Sequence, residues 1–250
     1  AGLLSQTYSG MFEILMIDNN SPDQSAALIG QYPRIRFFSE TKQGAYAARN
    51  RGIREAVGDL LVFSDPDCVP RSDWLSQIEV AMRNPEIGVL VGPALSYGSS
   101  LGLRLLDAYE TRKESYILGS DDPTLYWGRT SNMAVRAALM HRYGPFLEQP
   151  RGADVVFVRT IVDNTSCKTV QYHPEVGVKH LEISSVAVYM KKVFIYGRSR
   201  MNYGRIISSR PLNLLERISV LRQTIRDERY VIQESMMLFM LLVLGLSAGI

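Results

Sequence analysis

An α/β fold with a largely parallel sheet is what this 250-residue sequence predicts. Short β-branched or aromatic runs alternate with helical stretches over roughly the first 100 residues. One run, Leu60 to Ser64 (LLVFS), is almost continuously apolar, as a strand buried on both faces requires. The balance of 46% hydrophobic and 21% charged residues is that of a globular chain, which excludes disordered and collagen-like classes. Cys68 and Cys167 are the only cysteines, too few for a disulfide scaffold or a cysteine-based zinc site, and a reducing compartment is expected. A net charge of +3 does not signal a nucleic-acid partner, and none is expected.

The elements follow in order. Phe12 to Ile17 (FEILMI) reads as a strand, closed by the turn-forming run Asp18-Asn19-Asn20-Ser21-Pro22-Asp23 and followed by a helix to about Tyr32. Ile35 to Ser39 is the next strand. Gly44 to Val57 carries small and apolar residues at helical spacing and ends at Gly58, a residue suited to a helix C-terminus. After the strand Leu60 to Ser64, Ser72 caps a helix through Arg83, and Gly88 to Tyr97 reads as a strand. Leu101 to Gly119 is an amphipathic helix with Leu105, Leu106 and Tyr109 on its apolar side. A short extended stretch follows Trp127. Helices are expected near Arg136 to Arg142 and from about Asp154 to Val162, with a turn at Gly144-Pro145 between them. Lys168 to Tyr172 and Val176 to His180 are strand-like.

Charge changes abruptly beyond this point. Ser185 to Gln233 holds ten Lys or Arg against three Asp or Glu, so the remainder of the chain is net acidic. This basic segment reads as helices broken near Arg210-Pro211. From Ser235 to Ile250 sixteen residues pass without a charge, short of the roughly 20 needed to span a bilayer. The expected organisation is a domain at 1–183, a basic helical membrane-proximal segment at 184–234, and the start of a transmembrane helix at 235–250. A buried amphipathic helix followed by a core helix is the alternative for the tail. The chain opens without an initiator Met or a secretory signal, and both ends read as cut from something longer.

Asp65-Pro66-Asp67 stands directly after the apolar strand, at the edge where α/β proteins bind ligands. Two carboxylates so spaced can address a divalent cation and a neighbouring hydroxyl, and hard oxygen donors suit Mg²⁺ or Mn²⁺. Taken alone, the same tripeptide favours a β-turn. It does not stand alone. FEILMIDNNSPD at 12–23, KQGAYAARNRGIREAVGDLLVFSDPDCVP at 42–70, SNMAVR at 131–136, RGADVVFVR at 151–159 and YHPEVGVKH at 172–180 form an ordered series. This series resembles the family 2 glycosyltransferases, inverting enzymes of the Rossmann-like GT-A fold that use nucleotide-diphospho-sugars.

The resemblance implies a mixed, mainly parallel sheet, a metal cofactor (Mg²⁺ or Mn²⁺) and a set of site residues. Asp18 matches the acid that bonds the nucleotide base, and Arg49 the Arg of the A-R-N stretch that contacts the nucleotide. Asp65 and Asp67 match the DXD motif, with Asp67 as metal ligand and Asp65 reaching ribose or sugar. Asp154 aligns with the catalytic base, although Ala153 replaces the acid that usually precedes it. His180 falls where the family often places a His near metal and diphosphate. Asn132 lies in the segment that lines the donor-sugar or acceptor pocket, and serves equally well as an interior polar residue. Trp127 suits a sugar platform or a core position, while His141 and His173 have no comparable context.

Processive members carry a Q/R-x-x-R-W motif after the base, and the only tryptophans here are Trp74 and Trp127, so transfer of a single sugar is expected. Arg198, Arg200 and Arg205 are left to grip diphosphate or to meet lipid headgroups. The expected function is metal-dependent, inverting transfer from a nucleotide-diphospho-sugar to an acceptor hydroxyl, lipid-linked or on a saccharide. The basic run beside an uncharged one places that activity at the cytoplasmic face of a membrane. The family opens with a strand bearing Pro-x-Tyr or Pro-x-Phe that is not seen before Leu3, so the domain is expected to be incomplete at its amino end. A catalytically inactive, membrane-bound assembly subunit is the competing reading. A related nucleotidyltransferase is the third, without the Gly-rich phosphate loop such enzymes use.

Overall fold

The apolar run Leu60–Ser64 forms strand β3 in the computed structural model, which describes residues 2–247 without the side chains of 198–202 and 246–247. Before it come β1 (Ile14–Asp18), the short helix α1 (Ser25–Ile29), β2 (Ile35–Ser39) and α2 (Ala45–Glu55), with β1 and β2 paired in parallel. After it come β4 (Cys68–Pro70), α3 (Trp74–Met82), β5 (Val89–Val91), β6 (Ala94–Ser96) and the long helix α4 (Leu101–Leu118). The chain continues through β7 (Asn132–Arg136), α5 (Ala137–Tyr143), α6 (Ala153–Asn164), β8 (Val170–Tyr172) and β9 (Val178–His180). Three helices close it: α7 (Val186–Tyr203), α8 (Leu214–Asp227) and α9 (Ile232–Ser247).

Among the described residues the main sheet has the order β3-β7-β5-β8, and a second sheet the order β4-β9-β6. The pairings are mixed, because β7 runs antiparallel to both neighbours while β5 and β8 are parallel. Strand and helix alternation cannot reveal such an insertion. Along β5 the side chains alternate between faces as a strand demands. Val89 and Val91 join Met133, Val135, Phe157 and Val158 on one side, and Leu90 joins Ala134, Trp74 and Ile78 on the other. Helices α4 and α6 thus cover one face and α3 the opposite face.

Gly88 to Tyr97 departs from the single strand expected there. It breaks at Gly92-Pro93 into β5 and β6, which belong to different sheets, since proline has no N–H to continue a ladder. The tail departs as well. Leu212, Val220 and Leu238 are buried in the same core as α4 and α6, so α8 and α9 pack against the domain. Arg210 ties the bend before α8 to the domain by donating to Asp122 (2.9 Å) and Glu216 (2.8 Å), the latter also closing a capping box with Asn213. Among the described residues no helix is long and apolar enough to cross a membrane.

Candidate active site

The turn Asp65-Pro66-Asp67 joins β3 to β4 and is closed by Cys68 N donating to Asp65 O at 3.0 Å. The tripeptide is therefore a turn and also a carboxylate pair at a strand end. Its partner arrives through sheet register: β4 and β9 are antiparallel with Cys68 opposite His180, and directly opposed residues share a face. His180 Nδ1 comes to 3.3 Å from Asp67 Oδ2, while Leu181 N donates to Asp67 O at 2.8 Å. His180 Nδ1 is buried and lacks a hydrogen bond of good geometry. Ligand atoms of Asp67, Cys68 and His180 lie within 4.8 Å of one another. An imidazole nitrogen without a partner beside a carboxylate fits a divalent cation such as Mn²⁺ better than Mg²⁺, which prefers an all-oxygen shell. Burial lowers the His180 pKa, against the pull of Asp67, and so favours the neutral ring that a metal needs. The Cys68 thiol is pushed by burial up to about 12.

Lys192 of α7 reaches the same histidine, 3.3 Å from Nε2, and pairs with Glu182 at 2.5 Å. An ammonium can only donate, so Nε2 accepts here and the ring proton sits on Nδ1. Burial would lower the Lys192 pKa, but the bond to Glu182 together with the neighbouring charges of Glu182 and Asp67 raises it. In sequence Lys192 is one cation among many in the basic segment; its place on α7, after β9, brings it here.

Asp154 occupies the first turn of α6, where the positive end of the helix dipole favours a carboxylate. Gly152 precedes it with φ of 83°, the left-handed backbone that lets the chain enter the helix. Oδ1 accepts from Tyr46 Oη at 2.7 Å and from Val155 N at 3.0 Å, and Oδ2 accepts from Thr130 N at 3.2 Å. Burial raises the Asp154 pKa above the ordinary carboxylate range, and these donors together with Arg49 offset part of that rise.

Arg49, one turn after Tyr46 on α2, stacks over the Tyr46 ring at 5.2 Å and pairs with Asp65 Oδ1 at 2.5 Å. Asp154, Tyr46, Arg49 and Asp65 thus form one contiguous line from the base candidate to the turn. Helix α2 starts at Gly44, whose φ of 136° suits glycine and whose N–H donates to Asn19 at 2.7 Å. Asp18 ends β1 and accepts from Ser21 N at 3.3 Å, an Asx-type turn that leaves lone pairs for a base. Asn132 is a correction to the pocket-lining expectation. It is buried, with both amide hydrogens committed to Pro93 O (2.9 Å) and Val176 O (2.6 Å) and its oxygen accepting from Trp74 (3.1 Å). It locks the two sheets together. Trp127 lies half-buried against the core under Arg129, and His173 pairs with Glu175 at 2.8 Å. Arg205 is exposed; the side chains of Arg198 and Arg200 lie outside the described residues.

The model of "Glycosyl transferase family 2" matches residues 1–143, more than half of the chain and the whole stretch from β1 through the DXD turn to β7. The chain belongs to glycosyl transferase family 2. It is 29% identical to glycosyltransferase AglE of Haloferax volcanii over 166 residues, 64% of this chain and 54% of that protein. An uncharacterized glycosyltransferase of Haemophilus influenzae is 36% identical over 87 residues, 32% of this chain and 34% of that protein. The chain therefore spans about half or less of the length of these relatives. In structure it is similar to the mannosyltransferase PcManGT of Pyrobaculum calidifontis, solved with GDP-Man and Mn²⁺, with TM-score 0.64 and 17% identity over 100% of this chain and 70% of that one. TarS of S. aureus, solved with UDP, gives 0.56 and 15% over 90% and 64%. These likenesses establish the GT-A fold for this family 2 chain.

Proposed function

We propose that the protein transfers a single sugar from a nucleotide-diphospho-sugar to an acceptor hydroxyl, with inversion and with a divalent cation. The observation that carries this reading is the line from Asp154 through Tyr46 and Arg49 to Asp65, beside the Asp67–His180 pair. It sets a carboxylate of raised pKa at one end of a site and a cation-binding pair at the other. The acceptor hydroxyl attacks the anomeric carbon opposite the nucleotide, its oxygen forms the new bond, and its proton passes to Asp154. The bond to the diphosphate breaks, and the electron pair leaves with that group. A bound cation supplies charge stabilisation for the leaving diphosphate. Asp67 and His180 would hold it, with Mn²⁺ favoured over Mg²⁺ by the imidazole donor. Lys192, held by Glu182 beside His180, would add a positive charge at the diphosphate end of the site. Asp65 and Arg49 then face the nucleotide, and Asp18 its base. Solved proteins of the same fold hold GDP-Man with Mn²⁺ or UDP-Glc with Mn²⁺, which supports the donor class.

Membrane association at the cytoplasmic face belongs to the same proposal. Its support is the basic segment together with Met236, Phe239, Met240 and Leu244, each more than half exposed on α9. The metal and donor assignments are tested together by calorimetry with GDP and UDP in the presence and absence of Mn²⁺. Asp67→Asn is expected to abolish the Mn²⁺-dependent part of nucleoside diphosphate affinity; unchanged Mn²⁺ dependence would reject the assignment.

A further inference from the structure

We propose that Tyr46 is a positioning residue for Asp154: its phenol commits Oδ1 and leaves Oδ2 as the oxygen that meets the acceptor. The inference rests on the reading of Asp154 as the base and assigns the orientation that this role needs. A carboxylate offers about four lone-pair directions. On Oδ1 both are taken, by Tyr46 Oη at 2.7 Å and Val155 N at 3.0 Å. Oδ2 accepts from Thr130 N at 3.2 Å and, at a long 3.5 Å, from Thr130 Oγ1, so its second direction carries only a weak bond that an acceptor hydroxyl can displace. The Tyr46 ring is buried, packed against Phe146 at 5.6 Å between centroids and covered by Arg49, which leaves its hydroxyl little freedom to turn elsewhere. The contact joins residues 108 apart in sequence, so it survives only if α2 and α6 keep their packing. Two backbone donors could hold a carboxylate by themselves. Val155 lies on α6 itself and Thr130 just before β7; the phenol adds a contact from α2, and with it a link between the base and Arg49.

The titratable and charged groups facing Asp154 are few. From α2 they are Tyr46 and Arg49. From α7, Tyr203 packs on Gly152 and Tyr196 lies under Arg151, both reaching the turn that leads into α6. A phenol donating to the carboxylate stabilises its charged form, so removing the hydroxyl must raise the pKa further.

The test is a carboxyl-carbon NMR titration of protein labelled at aspartate, with the Asp154 signal assigned from Asp154→Asn. In Tyr46→Phe the midpoint of Asp154 is expected to move upward by about one pH unit or more. A signal unmoved in a folded Tyr46→Phe protein overturns the proposal. The reading of Asp154 as base fails separately, if Asp154→Asn still turns over GDP-mannose or UDP-glucose like the parent. A merely structural tyrosine would leave the midpoint in place and lower the melting temperature alone. Tyr46→Phe keeps the ring and its packing, and its near-UV circular dichroism reports whether it has folded.

Discussion

Asp154 sits between two opposing effects: burial favours its protonated form, while the hydroxyl of Tyr46, the N–H of Thr130 and the charge of Arg49 favour the carboxylate. Burial prevails, and the sign of the consequences follows. Activity that needs the carboxylate declines as pH falls through the raised folded-state value, so the acid limb of kcat/KM is expected above the usual Asp range. The folded state also holds this proton more tightly than the unfolded chain, so Asp154 stabilises the fold when protonated and subtracts from stability as pH rises past the unfolded value. Asp154→Asn is expected to bind donor nucleotide as the parent does while losing about 10²–10⁴-fold in transfer. Single-turnover rates with saturating donor check this, and near-parental rates would remove Asp154 from the base role. Much of the site was legible residue by residue. Asp65, Asp67, Arg49 and Asp154 each carry local motif context, whereas Tyr46 does not, because a tyrosine in a helix looks the same whether it packs or positions.

At the scale of elements, the site is built by three entries into secondary structure. The turn after β3 presents Asp65 and Asp67, the register of β4 on β9 brings in His180, and the left-handed Gly152 aims α6 so that Asp154 meets Tyr46. A side chain at residue 152 would meet the Tyr203 ring and force an L-residue into the left-handed region, at about 1–2 kcal/mol for the backbone alone. Gly152→Ala is therefore expected to lower stability by at least that much and to depress transfer more than nucleotide binding. Chemical denaturation and calorimetry on the same preparation separate the two effects. Asn50 shows how the same region is held: its amide clamps Phe146 through both N (3.0 Å) and O (2.8 Å), fixing the loop that leads toward α6. The A-R-N stretch thus carries one residue for the site and one for its scaffold. Turn-formers and apolar runs made β3 and α6 readable, but the break at Gly92-Pro93 and the antiparallel β7 were not, because strand partners are chosen by packing.

Over the whole molecule, the basic tail is continuous with the catalytic core. Helix α8 buries Val220 and Thr224 against α4, and α9 buries Leu238 while exposing Met236, Phe239 and Met240. Removing 235–250 would therefore strip cover from α4 and confuse anchoring with folding. Substituting Phe239 and Met240 by Ser leaves the buried face intact, and is expected to reduce cosedimentation with vesicles containing anionic lipid without changing the thermal transition. Unchanged cosedimentation would place the membrane contact elsewhere. The sequence by itself determined the order of strands, turns and carboxylates, and through that order the family, because hydrophobic period and turn chemistry are local properties. The tertiary structure alone decided which atoms bring His180 to Asp67, that Asn132 is an interior clamp, and that Tyr46 holds Asp154. Those facts depend on register and on which faces share a layer, and neither is written in any one segment.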